Sequence, residues 1–395
     1  MKRRIGAAAA VGGLAVLLAL PSTAFGRIKL ITLPKRERVE IQLDNPNVTL
    51  VEEERVVPLV KGVNQVDFAW ANTAIDKDSI QFRALTDPER VKVLSVSYPP
   101  NENALVWQVA AGESGPAKVR ISYIIGQLNK SFEYRAVASH DEKTLTLSQY
   151  IRLHNLANEE FGDAGLWAGF GEHFSRPIGI NETKQVLSAK FAGVPIKKTW
   201  TCDPAQFDYL DPGKKQLKVP MHYVLKNDQD HHLGTFPLMY GKARIFQDDG
   251  KGGTAFIGED WGRFTPIDDE MKLYLGLARD IVVIRTFERQ DKKRLGGNLY
   301  DHDVVVKYEI ENFKDTAAVL DVTESLPFIR KEVRGDTGRD VQWELGPQTT
   351  FTNTIDKEKQ TFDRVLFHIP LEPRNADGSA KKVVHKLHVV IKNEW

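Results

Sequence analysis

This sequence predicts an all-β fold: two or three immunoglobulin-like β-sandwich domains after a signal peptide. Three observations predict it. Apolar and polar residues alternate along many short segments, as where Val119, Ile121, Tyr123 and Ile125 enclose Arg120 and Ser122. A period of two places each apolar set on one face of a half-buried strand. Turn residues punctuate these segments, among them Asp249-Gly250 with Gly252-Gly253, and Asp377-Gly378. Finally, no long segment shows the periodicity of an amphipathic helix, and many short strands between turn clusters suit sandwiches or open barrels.

The first element is the signal peptide, residues 1–26. Lys2, Arg3 and Arg4 precede an apolar run from Ala7 to Leu20, and small residues surround Ala24 and Gly26. A positive start, a short apolar middle and a small-residue end make a secretory signal. The run is shorter than the roughly 20 apolar residues that a spanning helix needs. Cleavage after Ala24 or Gly26 is expected. The Arg3-Arg4 pair also permits a twin-arginine route. No cysteine lies near the cleavage region to carry a lipid, and no later segment is apolar enough for a spanning helix. The expected location is therefore periplasmic or secreted, with no transmembrane span in the mature chain.

An N-terminal β domain is expected over residues 27–141, with a boundary near Ser139, His140, Asp141 and Glu142. Residues 142–395 form the remaining β-sandwich region, with a possible division near Pro212-Gly213. Its strands include Leu145, Leu147, Ile151 and Leu153 alternating with Thr144, Thr146, Ser148 and Arg152. Val304, Val306, Tyr308 and Ile310 alternate with Lys307, Glu309 and Glu311. One pattern recurs: a strand carrying Tyr150, Tyr223 or Tyr308 ends at Asn155, Asn227 or Asn312. Asparagine tolerates a left-handed strand exit, and its side chain can bond nearby backbone. At the C-terminus, Leu387, Val389, Ile391 and Trp395 share one parity, as in an outer-membrane barrel strand. Asn393 interrupts that series and the other strands read as short, so a last sandwich strand is expected instead.

Composition excludes several classes of function. Basic and acidic residues nearly cancel, 54 against 53, so there is no nucleic-acid footprint. One cysteine, Cys202, allows no internal disulfide and reads as a small buried hydrophobe. Asp228, Asp230, His231 and His232 crowd four metal-ligand types into one loop, but neighbouring side chains in extended backbone diverge. Asp301-His302-Asp303 has the same defect. His385 and His388 lie an odd number of residues apart on a strand and face opposite sides. Gly112-Glu113-Ser114-Gly115 lacks the spacing of a hydrolase elbow, and Gly169-Phe170-Gly171 lacks a third glycine and a helix. Glu259-Asp260 and Asp268-Asp269 are carboxylate pairs of the kind a glycosidase needs, although chain neighbours usually mark solvated turns. No catalytic, metal or cofactor residues are assigned.

Aromatic side chains are the remaining chemistry. Trp167, Phe170, Phe174, Trp200, Trp261 and Trp343 could stack on sugar rings if exposed, although aromatics in strands are commonly core residues. Trp261 is the candidate ligand contact, because Gly258-Glu259-Asp260-Trp261-Gly262-Arg263 is a polar, glycine-containing stretch that reads as a loop.

Several segments together resemble the mucoidy-inhibitor-like family. They are Ser131 to Ala136 followed by Leu145 to Asn155, Gly241 to Glu259, Met271 to Asp280, and Tyr308 to Pro327. In the last, Tyr308, Asn312, Glu324, Leu326 and Pro327 occupy the family's places. Val48 to Ile80 resembles its N-terminal opening. The resemblance covers most of the mature chain and implies a C-terminal domain of unknown function, with no catalytic residues to carry over. The long coiled-coil insert of many relatives is missing here, and no partner of that insert is implied.

The expected function is therefore that of a non-enzymatic exported envelope protein, a β-sandwich that binds or scaffolds an envelope protein or a glycan, without a cofactor. The alternative is a carbohydrate-active hydrolase whose paired carboxylates come from separate strands.

Overall fold

The structure, a computed structural model, describes residues 29–43, 45, 47–70, 72–167, 173–333 and 341–394. Residues 1–26, expected to be a signal peptide, Gly169-Phe170-Gly171 and Trp395 lie outside these residues. Within them the chain is nearly all β, with several sheets in sandwich-like arrangement and one seven-residue α-helix, Leu326–Glu332. Among the described residues no helix is long and apolar enough to cross a membrane. The chain divides into two compact units.

The smaller unit draws on residues up to 38, 52–72 and 80–122. Its four-stranded sheet runs in the order Lys29–Thr32, Gly62–Ala69, Ala104–Ala111, Val91–Ser97. The first pair is parallel and the others antiparallel. Alternation in the sequence fixes the buried side: Val66, Phe68, Leu105, Trp107 and Val109 are all nearly inaccessible. Trp107 sits 5.7 Å from the Phe68 ring and 5.0 Å from Phe82. Beside this core Glu53, fully buried, is held by Arg36 and Arg55.

The larger unit holds the remaining residues. One five-stranded sheet runs Thr183–Pro195, Thr144–Asn155, Leu128–Ala138, Gly241–Asp248, Thr254–Gly262. Ser139, His140, Asp141 and Glu142, where a domain boundary is expected, lie in the turn between two strands of this sheet, with Leu145 opposite Ala138. Leu145, Leu147, Ile151 and Leu153 lie on its buried face. Two further sheets share one core. Leu320, Val322, Phe367 and Ile369 come from one; Val283, Val304, Val306, Tyr308, Leu387, Val389 and Ile391 come from the other.

Two local expectations differ from what folds. Strands read as short are long: Ile281–Gly296 and Leu299–Asn312 make a hairpin of 16 and 14 residues. Apolar alternation marks only its buried half; beyond Phe287 the first strand carries Arg289, Asp291, Lys292, Lys293 and Arg294, and its ladder continues in water. Alternation detects burial on a sheet face, whereas backbone pairing extends a strand past it. The three strand-ending asparagines are not left-handed. They are buried staples instead. Asn155 donates to Glu159 O and Gly179 O, Asn227 to Phe236 O and Pro266 O, and Asn312 to Glu372 O. Each accepts a backbone N–H in return, from Ala157, Gly234 and Lys314. A buried amide that satisfies several loop carbonyls removes desolvation penalties that would otherwise unfold the loop.

A candidate ligand-binding face

The outer face of the five-stranded sheet follows from register. Trp261 pairs with Lys242, and Glu259 with Arg244, on the antiparallel hairpin Gly241–Asp248 and Thr254–Gly262. Lys242 and Arg244 in turn lie opposite Glu133 and Arg135 on the parallel neighbour. Tyr150 and Arg152 follow on the next strand. Successive side chains alternate faces, so all of these point outward while Tyr134, Ala243 and Ile245 are buried beneath them. Gly241 permits the parallel pairing, since a Cβ there would stand 2.3 Å from Phe132 O. The hairpin turn is closed by Asp249, whose Oδ1 accepts from the backbone of Lys251 and Gly253, with Gly250 at φ 73°.

Trp261 therefore sits in an edge strand, where the sequence suggested a loop. It is 51% exposed and stacks on Tyr240, which is 58% exposed. Their ring centroids are 5.2 Å apart and their planes only 5° from parallel. Lys242 Nζ lies 5.8 Å from the Trp261 ring and 2.6 Å from Glu259. Further along the face Phe246 meets the exposed Phe256 edge-on at 5.5 Å. Glu133 receives Arg152 at 3.4 Å, Arg244 at 3.3 Å and Gln185 at 3.2 Å. Arg244 also reaches Glu259 at 3.6 Å.

The other sequence candidates separate. Glu259 faces Lys242 and Arg244, while Asp260 accepts the Tyr274 N–H at 2.7 Å. Asp269 caps the Glu270 N–H in a turn. Asp228 is tied to His231 Nδ1 at 2.6 Å and to Lys226, and those contacts hold its carboxyl down at about 2 against the opposing effect of burial. His232 bonds Gly193 O. His388 meets Asp303 at 3.0 Å, whereas His385 lies among Tyr308, Phe351 and Phe367 on the other side of its strand. Among the described residues no three His, Cys, Asp or Glu side chains are placed to hold a metal. Ser114 accepts the Lys61 N–H in a turn. Trp200 is buried; Trp167, 43% exposed, donates to Glu40 at 2.7 Å; Trp343 donates to Phe362 O.

The sequence did not reveal one further constellation. Arg285, 1% exposed, bonds Glu324 at 2.6 Å and Glu332 at 2.7 Å and 2.9 Å. Tyr308 donates its hydroxyl to Glu324, and the Arg285 guanidinium lies 5.3 Å from the Phe287 ring and 5.4 Å from Phe328. Burial works against the arginine's charge, but Glu324, Tyr308 and Glu332 overcome it and hold the guanidinium firmly protonated. Cys202 lies fully buried in the same core, and burial pushes its thiol up, so the nucleophilic thiolate is disfavoured.

No family model matches the chain, and no curated protein matches it.

Proposed function

We propose that this chain is an exported, non-enzymatic glycan-binding module of the bacterial envelope, related to mucoidy-inhibitor-like proteins. The outer face around Trp261 is its ligand face. The observation that carries this reading is the parallel, water-exposed stack of Trp261 on Tyr240. Flat apolar surface left in water favours a ligand with a matching C–H face, and a sugar ring has one. Covering about 100 Å² of it contributes about 2.5 kcal/mol at the usual 25 cal/mol per Å², before ordering costs. Lys242, Glu259, Arg244 and Glu133 supply charged hydrogen-bonding groups for hydroxyls alongside the rings. The two carboxylates of this face, Glu133 and Glu259, are engaged by arginine or lysine, which suits a binding surface better than acid–base work. Export rests on the signal-like residues 1–26, and kinship on the places of Tyr308, Asn312, Glu324, Leu326 and Pro327.

The test is a glycan array on the mature chain, followed by calorimetric titration of the best ligand. Trp261→Ala is expected to weaken binding at least tenfold while leaving the melting temperature near that of the parent. Wild-type protein that retains no glycan, or a Trp261→Ala variant that binds as well as wild type, contradicts the reading. Release of new reducing ends from a bound glycan would favour the hydrolase instead.

A further inference from the structure

We infer that the glycan is polyanionic, a chain bearing carboxylates on its sugars, and that Arg135 holds one of those carboxylates. This rests on the reading of the Trp261 face as a glycan site and specifies its ligand. The central rungs of the face carry four cations, Arg135, Arg152, Lys242 and Arg244, against two carboxylates, Glu133 and Glu259. The imbalance is local, because the whole chain is almost neutral at +1. Both carboxylates are already shared, Glu133 between Arg152 and Arg244, and Glu259 between Lys242 and Arg244.

Arg135 is the cation left over. It is exposed, its guanidinium lies 5.0 Å from the Phe246 ring centroid, and among the described residues it has no carboxylate partner. Contact with the Phe246 ring satisfies the cation without using its N–H donors, which are left for a ligand. Beside it is a hollow of about 310 Å³, lined by Glu133, Tyr150, Gln185, Arg244 and Phe246, within the size range of small-ligand sites; the Glu133 charge there is met by Arg152 and Arg244. A guanidinium of this kind matches a carboxylate through two parallel hydrogen bonds. Position then constrains the ligand. Arg135 lies two strands across and two residues along from Trp261, roughly 12 Å by ordinary sheet spacing. One sugar cannot occupy both places, but a short oligomer can. An apolar sugar face would cover the exposed side of the Trp261–Tyr240 stack, while a carboxylate farther along reaches Arg135.

Three probes test this on the mature protein: polygalacturonate, the same polymer after chemical reduction of its carboxyl groups, and poly-glutamate. Polygalacturonate is expected to bind about tenfold or more tighter than its reduced form, with an affinity that falls as salt rises. Arg135→Ala should lose about tenfold on polygalacturonate and nothing on the reduced polymer. Trp261→Ala should weaken binding to both polymers. Equal binding of acidic and reduced polymers overturns the polyanion inference but leaves the glycan platform standing. Poly-glutamate binding as tightly as polygalacturonate, with no loss in Trp261→Ala, overturns the platform and the inference together. The Arg135→Gln variant, with its far-ultraviolet circular dichroism checked against wild type, guards against misfolding. It should reproduce the loss seen with alanine, and full binding by a folded Gln variant removes Arg135 from the site.

Discussion

Arg285 and Arg244 are built alike and do opposite things. Each arginine lies between two glutamates on a β-strand. Around Arg285 the distances to Glu324 and Glu332 are 2.6 and 2.7 Å, and both Arg285 and Glu324 are 1% exposed. Around Arg244 the distances to Glu133 and Glu259 are 3.3 and 3.6 Å, and the arginine side chain is 43% exposed. Burial makes the first a fixed internal part, since any lost partner strands a charge away from water. Exposure makes the second adjustable, because water can replace any partner at little cost. A ligand can exploit only the second.

The largest effect expected follows from the buried member. Arg285→Met should destabilise the fold by about 3–5 kcal/mol, because Glu324 is left as an uncompensated buried charge. Urea unfolding measures it. Adding Glu324→Leu should recover much of the loss, since a buried pair replaced by apolar groups is often neutral. Failure of the double variant to recover would mean that Arg285 serves the fold through packing on Phe287 and Phe328 rather than through charge.

Acid acts on the same core through His385. Burial holds His385 down at about 4 from an ordinary 6.5. Between those values the unfolded chain binds a proton that the folded chain refuses, so folding weakens as pH falls. His385 therefore contributes fully above pH 6.5, loses its contribution progressively down to pH 4, and changes nothing further below. The span is up to about 3 kcal/mol. His302 and His222 are shifted downward by burial too and act in the same sense. Urea midpoints from pH 4 to pH 7 should rise with pH, and His385→Phe should flatten part of that rise. An unchanged slope in that variant would assign the dependence to other groups.

The exposed member yields the smallest effect. Arg244→Met should change stability by less than about 1 kcal/mol, measured by the same unfolding titration. A loss comparable to that of Arg285→Met would show that exposure does not separate the two arginines.

The two regions were not equally legible in the sequence. Strand alternation identified Leu145 to Leu153 and Val304 to Ile310 because one face of each is buried. It missed the far half of the Ile281–Gly296 hairpin arm, where both faces meet water and no pattern is left to read. Asn155, Asn227 and Asn312 stood out as a recurring strand end, but their role as buried staples depends on loop carbonyls distant in the chain. Trp261 was visible through its polar, glycine-containing surroundings. Tyr240 was not, because it meets Trp261 only through the Lys242–Trp261 register of a hairpin. Glu133, Arg135 and Arg244 lie in segments that carry the family resemblance, but nothing in the sequence marks them as ligand residues, each looking like an ordinary outward strand residue. Arg285, Glu324 and Glu332 come from two strands and a helix, and no local motif joins them.

On the proposed reading, the outer face around Trp261 receives a ligand and the Arg285 centre does not. The indole N–H resonance of Trp261 in ¹⁵N-labelled protein lacking residues 1–26, assigned by its disappearance in Trp261→Phe, reads this difference. Titration with an oligomer of galacturonate should shift that resonance, together with backbone signals of Lys242, Arg244 and Arg135, and leave those of Arg285 and Glu324 in place. An unmoved Trp261 resonance while saturable shifts appear elsewhere in the chain would contradict the account.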